Sequence, residues 1–251
     1  MVGKDFNEYL VDYKERGGII TDRVKVLNSC NSTSYEITYY DNTRKLRLLH
    51  KCSDFSRDDL HDLPDTVVVN PIAREIDLDT LQYIKEGVEF VGVDLQGGFT
   101  RVFDEHNYVS SSISIKDVIK IIEHADVIKA SIDDVPMDGF NTIADKYPNK
   151  VIVITMGADG SVLLHNGHKL RISANGIVSV RDPPTGGAGD VMTCALTYML
   201  SRGGEDLEWS FIFSNAAAIA KTMGEGPYGG VIGNDIISDI ANRLFSRLIK
   251  T

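Results

Sequence analysis

The sequence predicts a three-layer α/β fold, in which a mostly parallel sheet is covered by helices on both faces and carries a small β lid. From Pro64 onward, apolar runs of strand length alternate with helical segments, as they do in parallel sheets. Residues 24–50 instead hold short half-polar runs, which are typical of a small antiparallel sheet. We therefore expect residues 1–251 to form a single domain with a β lid at about 24–50.

The N-terminal part of the chain supplies a helix and the lid. Residues 5–16 have helical character, and the pair Gly17-Gly18 suits a left-handed helix end. The lid strands are predicted at residues 24–26, 35–40 and 45–49, with a turn at 41–44 joining the last two.

The strand–helix alternation after Pro64 defines the main sheet. Strands are predicted at residues 67–69, 88–93, 126–129 and 151–154, and helices at 77–86, 114–125, 138–147, 191–200 and 207–223. Ser114 and Asp117 have the spacing of a capping box at the start of one of these helices. Ligands of such sheets bind at the carboxyl ends of the strands, so the residues that follow each strand are candidates for the site.

Composition narrows the range of partners. The net charge is −10 and the pI is near 5.0, which disfavours nucleic acid and anionic membranes as partners. The N-terminus has no signal-peptide core, and no apolar stretch reaches membrane-spanning length, so we expect a cytoplasmic protein. A small phosphate ligand is compatible with the negative net charge of the chain, because backbone amides and Mg²⁺ bind phosphate without a net positive charge on the protein.

The cysteines predict no disulfide framework. Cys30, Cys52 and Cys194 are odd in number and lack CxxC spacing. Reduced thiols are therefore expected. The six histidines likewise show no metal-ligand spacing.

The most informative segment is the glycine-rich run at residues 182–190, which opens an apolar helix. The small residues Gly187, Ala188 and Gly189 let a phosphate approach the exposed amides of the helix N-terminus. A carboxylate beside a phosphate repels it, so Asp190 needs a function there. Phosphoryl transfer supplies one, since the attacking hydroxyl must lose a proton. A plain glycine-rich turn with Asp190 as a first-turn charge is the alternative.

This segment resembles the Asp-Thr-x-Gly-Ala-Gly-Asp signature of the PfkB/ribokinase family. Matches occur at Thr185, Gly187, Ala188, Gly189 and Asp190, whereas Pro184 replaces the leading Asp of the family. The resemblance implies that the Gly-Ala-Gly amides form an anion hole for the transferred phosphoryl group. It also implies that Asp190 is the catalytic base and that Thr185 belongs to the donor site.

Further resemblances place a nucleotide. The strand ending in Thr155-Met156-Gly157-Ala158-Asp159-Gly160 is similar to a family segment along the ATP phosphates and ribose, which implies that Thr155, Gly157 and Gly160 bind ATP. The alternative is that this segment is an ordinary hairpin turn that binds no nucleotide.

Two further positions resemble ligand-binding residues of the family. Asn215 resembles a residue of the adenine-pocket helix. Asp134, in Ser131-x-x-Asp134, resembles the family's Mg²⁺-ordering Asn-x-x-Glu, although a helix N-cap is an equal alternative.

The resemblance implies an ATP- and Mg²⁺-dependent carbohydrate kinase that phosphorylates a hydroxyl of a sugar, polyol or nucleoside, with a possible homodimer through the β lid. Val2-Gly3-Lys4-Asp5 is similar to a segment that normally follows a first strand in this family, so the N-terminal segment of the family has no counterpart here. A truncated or non-catalytic nucleotide-binding relative is therefore an alternative. An NAD-dependent oxidoreductase would need a dinucleotide fingerprint after its first strand, which the chain lacks.

Overall fold

The computed structural model describes residues 1–7, 9–10, 20–40, 43–95, 99–111, 113–132, 134, 137–177, 186–204, 206–224 and 233–250. Its strands are β1 (Val2–Gly3), β2 (Val26–Leu27), β3 (Ser34–Tyr40), β4 (Thr43–His50), β5 (Thr66–Val69), β6 (Phe90–Asp94), β7 (Arg101–Phe103), β8 (Val109–Ser111), β9 (Val127–Ser131), β10 (Val151–Thr155), β11 (Ser161–His165), β12 (His168–Ile172) and β13 (Leu248–Lys250). Its helices are α1 (Leu78–Gly87), α2 (Ile115–Ile122), α3 (Met137–Lys146), α4 (Ala188–Ser201), α5 (Leu207–Met223) and α6 (Asn234–Phe245).

A seven-stranded sheet forms the centre of the molecule, in the order β13-β12-β11-β10-β9-β6-β5. The strands β5, β6, β9 and β10 run parallel, so their carboxyl ends meet at one edge. The strands from β11 onward are antiparallel to their neighbours. This arrangement confirms the predicted mostly parallel sheet.

Helices cover both faces of this sheet, because successive strand residues point to opposite sides. Ile128 and Ile152 belong to the apolar core that also contains buried residues of α1, α2 and α3. Val127 and Val153 belong to the opposite core, with α4, α5 and α6. The three predicted layers are therefore present. None of the described helices has the length and apolar character that crossing a membrane requires.

The local signals in the sequence mark where the elements begin and turn. The side chain of Asp77 accepts a hydrogen bond from the Thr80 amide and starts α1. Ser114 accepts from the Asp117 amide and starts α2. Asn166 and Gly167, with φ angles of 49° and 75°, form the tight turn between β11 and β12.

The N-terminal elements differ in part from their prediction. β3 and β4 form the predicted hairpin, but residues 24–26 do not join it, because Val26 pairs with Val2 in a separate two-stranded parallel sheet. The β7–β8 hairpin lies against β4 instead, through the Leu48 amide and the Asn107 carbonyl 2.9 Å apart. Within the predicted helix at 5–16, the described residues 7, 9 and 10 are α-helical and follow a 3₁₀ turn over Lys4–Phe6, whereas residues 8 and 11–19 lie outside the described residues.

The expectation of three reduced cysteines was wrong for two of them. Cys30 and Cys52 form a disulfide with their Cα atoms 5.2 Å apart, and Cys194 is free. Clustering along the sequence does not decide such pairing, because the bond requires proximity in the folded chain. The segment after β2 and the segment after β4 meet here, 22 residues apart in sequence.

Candidate active site

The glycine-rich segment leads directly into α4. Gly187 is the N-cap residue and has a left-handed backbone with φ of 82°, which glycine adopts without steric cost. The first amides of a helix have no partner within the helix and carry the positive end of its dipole. Asp190 lies in this first turn and its side chain is exposed. The structure thus brings Gly187, Ala188, Gly189 and Asp190 together as predicted from the sequence.

Beneath this helix start lies a buried ion pair that the sequence did not predict. Lys129 of β9 and Asp94 of β6 are register partners, with Nζ and Oδ2 3.0 Å apart and side chains only 2% exposed. A Cβ on Gly189 would lie 2.6 Å from the Lys129 Nζ. A side chain at position 189 would therefore displace the ammonium group. The ion pair therefore lies directly beneath the helix terminus, in the room that Gly189 leaves for the ammonium group.

Asn70 is a site residue that sequence reasoning missed. It follows β5, and its Nδ2 donates a hydrogen bond to the Asp190 Oδ1 at 3.2 Å. Its own Oδ1 is buried and has no hydrogen-bond partner within the described part of the chain. A polar residue immediately after an apolar strand was the available signal, since such positions gather at the carboxyl edge of the sheet. Asn70 orients the carboxylate and offers an acceptor beside it.

The turn after β10 carries the predicted donor residues. Thr155 ends the strand and donates to the Ala130 carbonyl at 3.2 Å. Gly157 has φ of 57° and faces open space, since a Cβ there would meet nothing within 4 Å. Gly160 is required by packing, because a Cβ would come within 1.9 Å of the Ile172 carbonyl oxygen. Gly157 is therefore accessible to a ligand, whereas Gly160 shapes the turn.

Asp134 follows the neighbouring strand β9, close to Thr155. Its carboxylate accepts from the Ser131 amide at 3.1 Å and from the Thr100 hydroxyl at 3.3 Å. A carboxylate has about four acceptor sites, so this one retains capacity for water or a cation. No cluster of three metal-ligating side chains occurs among the described residues. Asp134 accordingly fits a site in which phosphate and water supply most Mg²⁺ ligands, as is usual for this ion.

Asn215, which the resemblance assigns to the adenine pocket, is buried in α5 next to β11. It is 5% exposed, its Oδ1 accepts from Ser161 at 2.7 Å and its Nδ2 donates to the Phe211 carbonyl at 2.8 Å. Both ends of the amide are engaged within the protein. The side chain joins α5 to β11 through these two hydrogen bonds, and its contact with adenine stays a prediction.

Cys194 lies one turn after Asp190 on α4. Desolvation, together with the negative charges of Asp190 and Asp94, raises the pKa of this thiol to about 11 although part of its surface is exposed. The group therefore stays protonated at neutral pH, and the reactive thiolate is scarce. Thr185 and residues 182–184 of the glycine-rich run lie outside the described residues.

Comparison with known proteins identifies the family. The family model for pfkB family carbohydrate kinases matches residues 96–230, more than half of the 251 residues. The chain belongs to this family. It is therefore an enzyme of the kinase class, related to proteins that transfer phosphoryl groups to sugars, inositols or nucleosides. No curated protein matches the chain by sequence.

Solved structures agree with the ribokinase-like fold of this pfkB-family chain. A pyrophosphate-dependent kinase in the ribokinase family, in a sulfate complex, is 21% identical, with a TM-score of 0.74 over 90% of this chain and 81% of that chain. A fructokinase from Vibrio cholerae O395 with fructose, ADP and calcium is 16% identical, with a TM-score of 0.73 over 96% and 83%. A nucleoside kinase from Burkholderia thailandensis with inosine is 18% identical, with a TM-score of 0.73 over 98% and 79%. At these identities the similarity shows the fold.

Proposed function

We propose that this pfkB-family protein transfers the γ-phosphoryl group of Mg-ATP to a hydroxyl of a sugar, polyol or nucleoside. The observation that carries the proposal is the position of Asp190, which lies in the first turn of α4 beside the Gly187–Gly189 amides and is held by Asn70. A carboxylate at this point can accept the proton of a hydroxyl, while the amides bind the phosphate.

Asp190 acts as the general base in this reaction. Its carboxylate takes the proton of the acceptor hydroxyl, and the hydroxyl oxygen forms a bond to the γ-phosphorus. The bond from that phosphorus to the β–γ bridging oxygen breaks, and ADP leaves with the electron pair. The amides of Gly187, Ala188 and Gly189 stabilise the negative charge on the transferred group.

Donor binding involves the neighbouring strand ends. Thr155 and Gly157 line the donor phosphates at an accessible turn, and Gly160 shapes that turn. The resemblance also assigns Thr185 to the donor site. Asp134 would hold the water shell of Mg²⁺, which neutralises phosphate charge when it is bound with the donor. The buried amide of Asn215 supports the wall between α5 and β11.

A screen of donors and acceptors tests the proposed function. The chain is incubated with Mg-ATP or Mg-pyrophosphate and with sugars, inositols or nucleosides, and the release of ADP or orthophosphate is measured. Pyrophosphate is included because a structural relative is a pyrophosphate-dependent kinase. Acceptor-dependent ADP release is expected. If only pyrophosphate gives acceptor-dependent phosphate release, pyrophosphate and not ATP is the donor. If the chain binds ATP but turns over no acceptor, the truncated or non-catalytic alternative is selected.

We also propose that the β3–β4 hairpin serves as the lid and as the surface of a homodimer. Ile37 and Tyr39 lie on the same face of β3 and are 44% and 63% exposed. An exposed apolar face on a two-stranded sheet is typical of an interaction surface.

The double variant Ile37→Lys/Tyr39→Glu is expected to shift the protein from dimer to monomer, because a charged face no longer excludes water. Light scattering coupled to size-exclusion chromatography measures this change. The control is Ile236→Lys on α6, where the side chain has a similar exposure of 46%. A wild-type protein that is monomeric at high concentration would contradict the proposal.

A further inference from the structure

A second cationic side chain lies at the start of α4, on a different element from the Lys129–Asp94 pair. Lys221 is in the last turn of α5. Its Cε lies 3.6 Å from the position that a Cβ on Gly187 would occupy, and the Asp190 Oδ2 lies 3.9 Å from the same position. The lysine and the proposed catalytic base therefore flank the N-cap residue of α4.

The ammonium group of Lys221 is buried without compensation. Its Nζ is inaccessible to solvent and has no hydrogen-bond partner in the described part of the chain. A buried charged group that lacks hydrogen bonds is costly, and such groups in folded proteins call for an explanation. The C-terminal end of the α5 dipole offsets part of this cost, since it favours a cation in the last turn.

An anion at the α4 terminus would supply the missing partner. Phosphate oxygens accept charge-assisted hydrogen bonds from lysine, and the helix amides already favour a negative group at this place. Asp190 alone would repel a phosphate because both are negative. A cation beside Gly187 offsets this repulsion between the carboxylate and the donor.

We infer that Lys221 is a donor-binding residue, whose ammonium group contacts the phosphoryl group that is transferred at the N-terminus of α4. The inference rests on the proposed function and deepens it, since it assigns the recognition of the donor's terminal phosphate to a side chain of α5. The inference assigns Lys221 a contact with the donor and none with the acceptor.

Binding measurements with the full chain test this inference. Lys221→Met keeps a long unbranched side chain and removes the charge, Lys221→Arg keeps the charge, and Lys116→Met removes an exposed lysine of α2 as the matched control. Titration calorimetry with Mg-ATP and with Mg-pyrophosphate gives the donor Kd, and thermal unfolding without ligand gives the Tm. In the assay, the donor KM and the acceptor KM are measured separately.

Lys221→Met is expected to weaken donor binding by about 10- to 100-fold, the loss of one charge-assisted hydrogen bond. Its acceptor KM should be unchanged, and its ligand-free Tm should equal or exceed that of the wild type, because an uncompensated buried charge is removed. Lys221→Arg should retain most of the donor affinity, and Lys116→Met should match the wild type throughout.

Three results overturn the inference in distinguishable ways. If the wild-type chain binds neither ATP nor pyrophosphate, both the proposed function and the role of Lys221 are contradicted. If the wild-type chain binds a donor and Lys221→Met binds it equally well, the proposed function is retained and the donor-binding role of Lys221 is contradicted. A lower ligand-free Tm with unchanged donor affinity would make Lys221 a structural residue.

Discussion

Replacement of Asp190 by Asn is expected to leave donor binding nearly normal and to lower kcat by about 10²–10⁴-fold, the usual contribution of a general base. Asn has the same shape as Asp, so α4 and its amides should be undisturbed. It cannot take a proton from the acceptor hydroxyl. The measurement is acceptor-dependent ADP release at saturating donor and acceptor, together with the donor Kd by calorimetry.

The control for this variant is Asp145→Asn on α3, an exposed carboxylate that should give wild-type kinetics. Asn70→Ala is the informative companion, because Asn70 donates to the Asp190 carboxylate at 3.2 Å. Its kcat should fall less than that of Asp190→Asn, since the base remains present but loses an orienting hydrogen bond. Wild-type turnover in Asp190→Asn would remove Asp190 from the mechanism and leave the carboxylate as a first-turn charge.

The elements with strong local signals were predicted closely from the sequence. The helix predicted at 207–223 has those bounds in the structure, because Asp206 caps its start through the Glu208 amide and Gly224 follows its last residue. The run 151–154 becomes β10, which extends one residue further to Thr155. The glycine-rich segment also predicted a helix start with Asp190 in its first turn, since small residues and a following apolar helix are visible in one stretch of sequence.

The parts of the site that escaped prediction depend on contacts between distant residues. Asn70 reaches Asp190 across 120 positions of sequence, and Cys30 meets Cys52 across 22. The sequence alone specifies neither the strand order nor the register that create such contacts. The two hydrogen bonds of Asn215, to Ser161 of β11 and to the helix backbone at Phe211, likewise depend on contacts that the resemblance did not indicate.

Lys129 escaped prediction because it is a polar residue in an apolar strand and because its partner is distant in sequence. A lysine in an apolar strand is ordinarily expected at the surface, yet this one is buried because β6 and β9 are neighbours and place Asp94 opposite it. Removal of one partner from a buried ion pair takes away a principal source of compensation for the other charge and commonly costs about 3–5 kcal/mol. This is a large part of the roughly 5–15 kcal/mol that stabilises a typical domain.

We therefore expect Lys129→Met to lower the Tm by roughly 6–20 °C, as this loss implies for a chain of this size. Thermal unfolding by circular dichroism measures the change. The double variant Lys129→Met/Asp94→Asn should recover most of the lost stability, because neither buried charge then remains, and neutral replacements of buried ion pairs are often tolerated. Lys116→Met, in the exposed face of α2, serves as the control and should change the Tm little.

The same variants separate stability from catalysis at the start of α4. Below its unfolding range, Lys129→Met should still show reduced turnover, because the ammonium group that it removes lies 2.6 Å from the position that a Cβ on Gly189 would occupy, and its loss changes the packing beneath the α4 terminus. If the double variant regains stability but not turnover, the pair positions the helix terminus for the reaction. If Lys129→Met is as stable as the control, Asp94 does not depend on Lys129 for its compensation, and the pair has no such structural role.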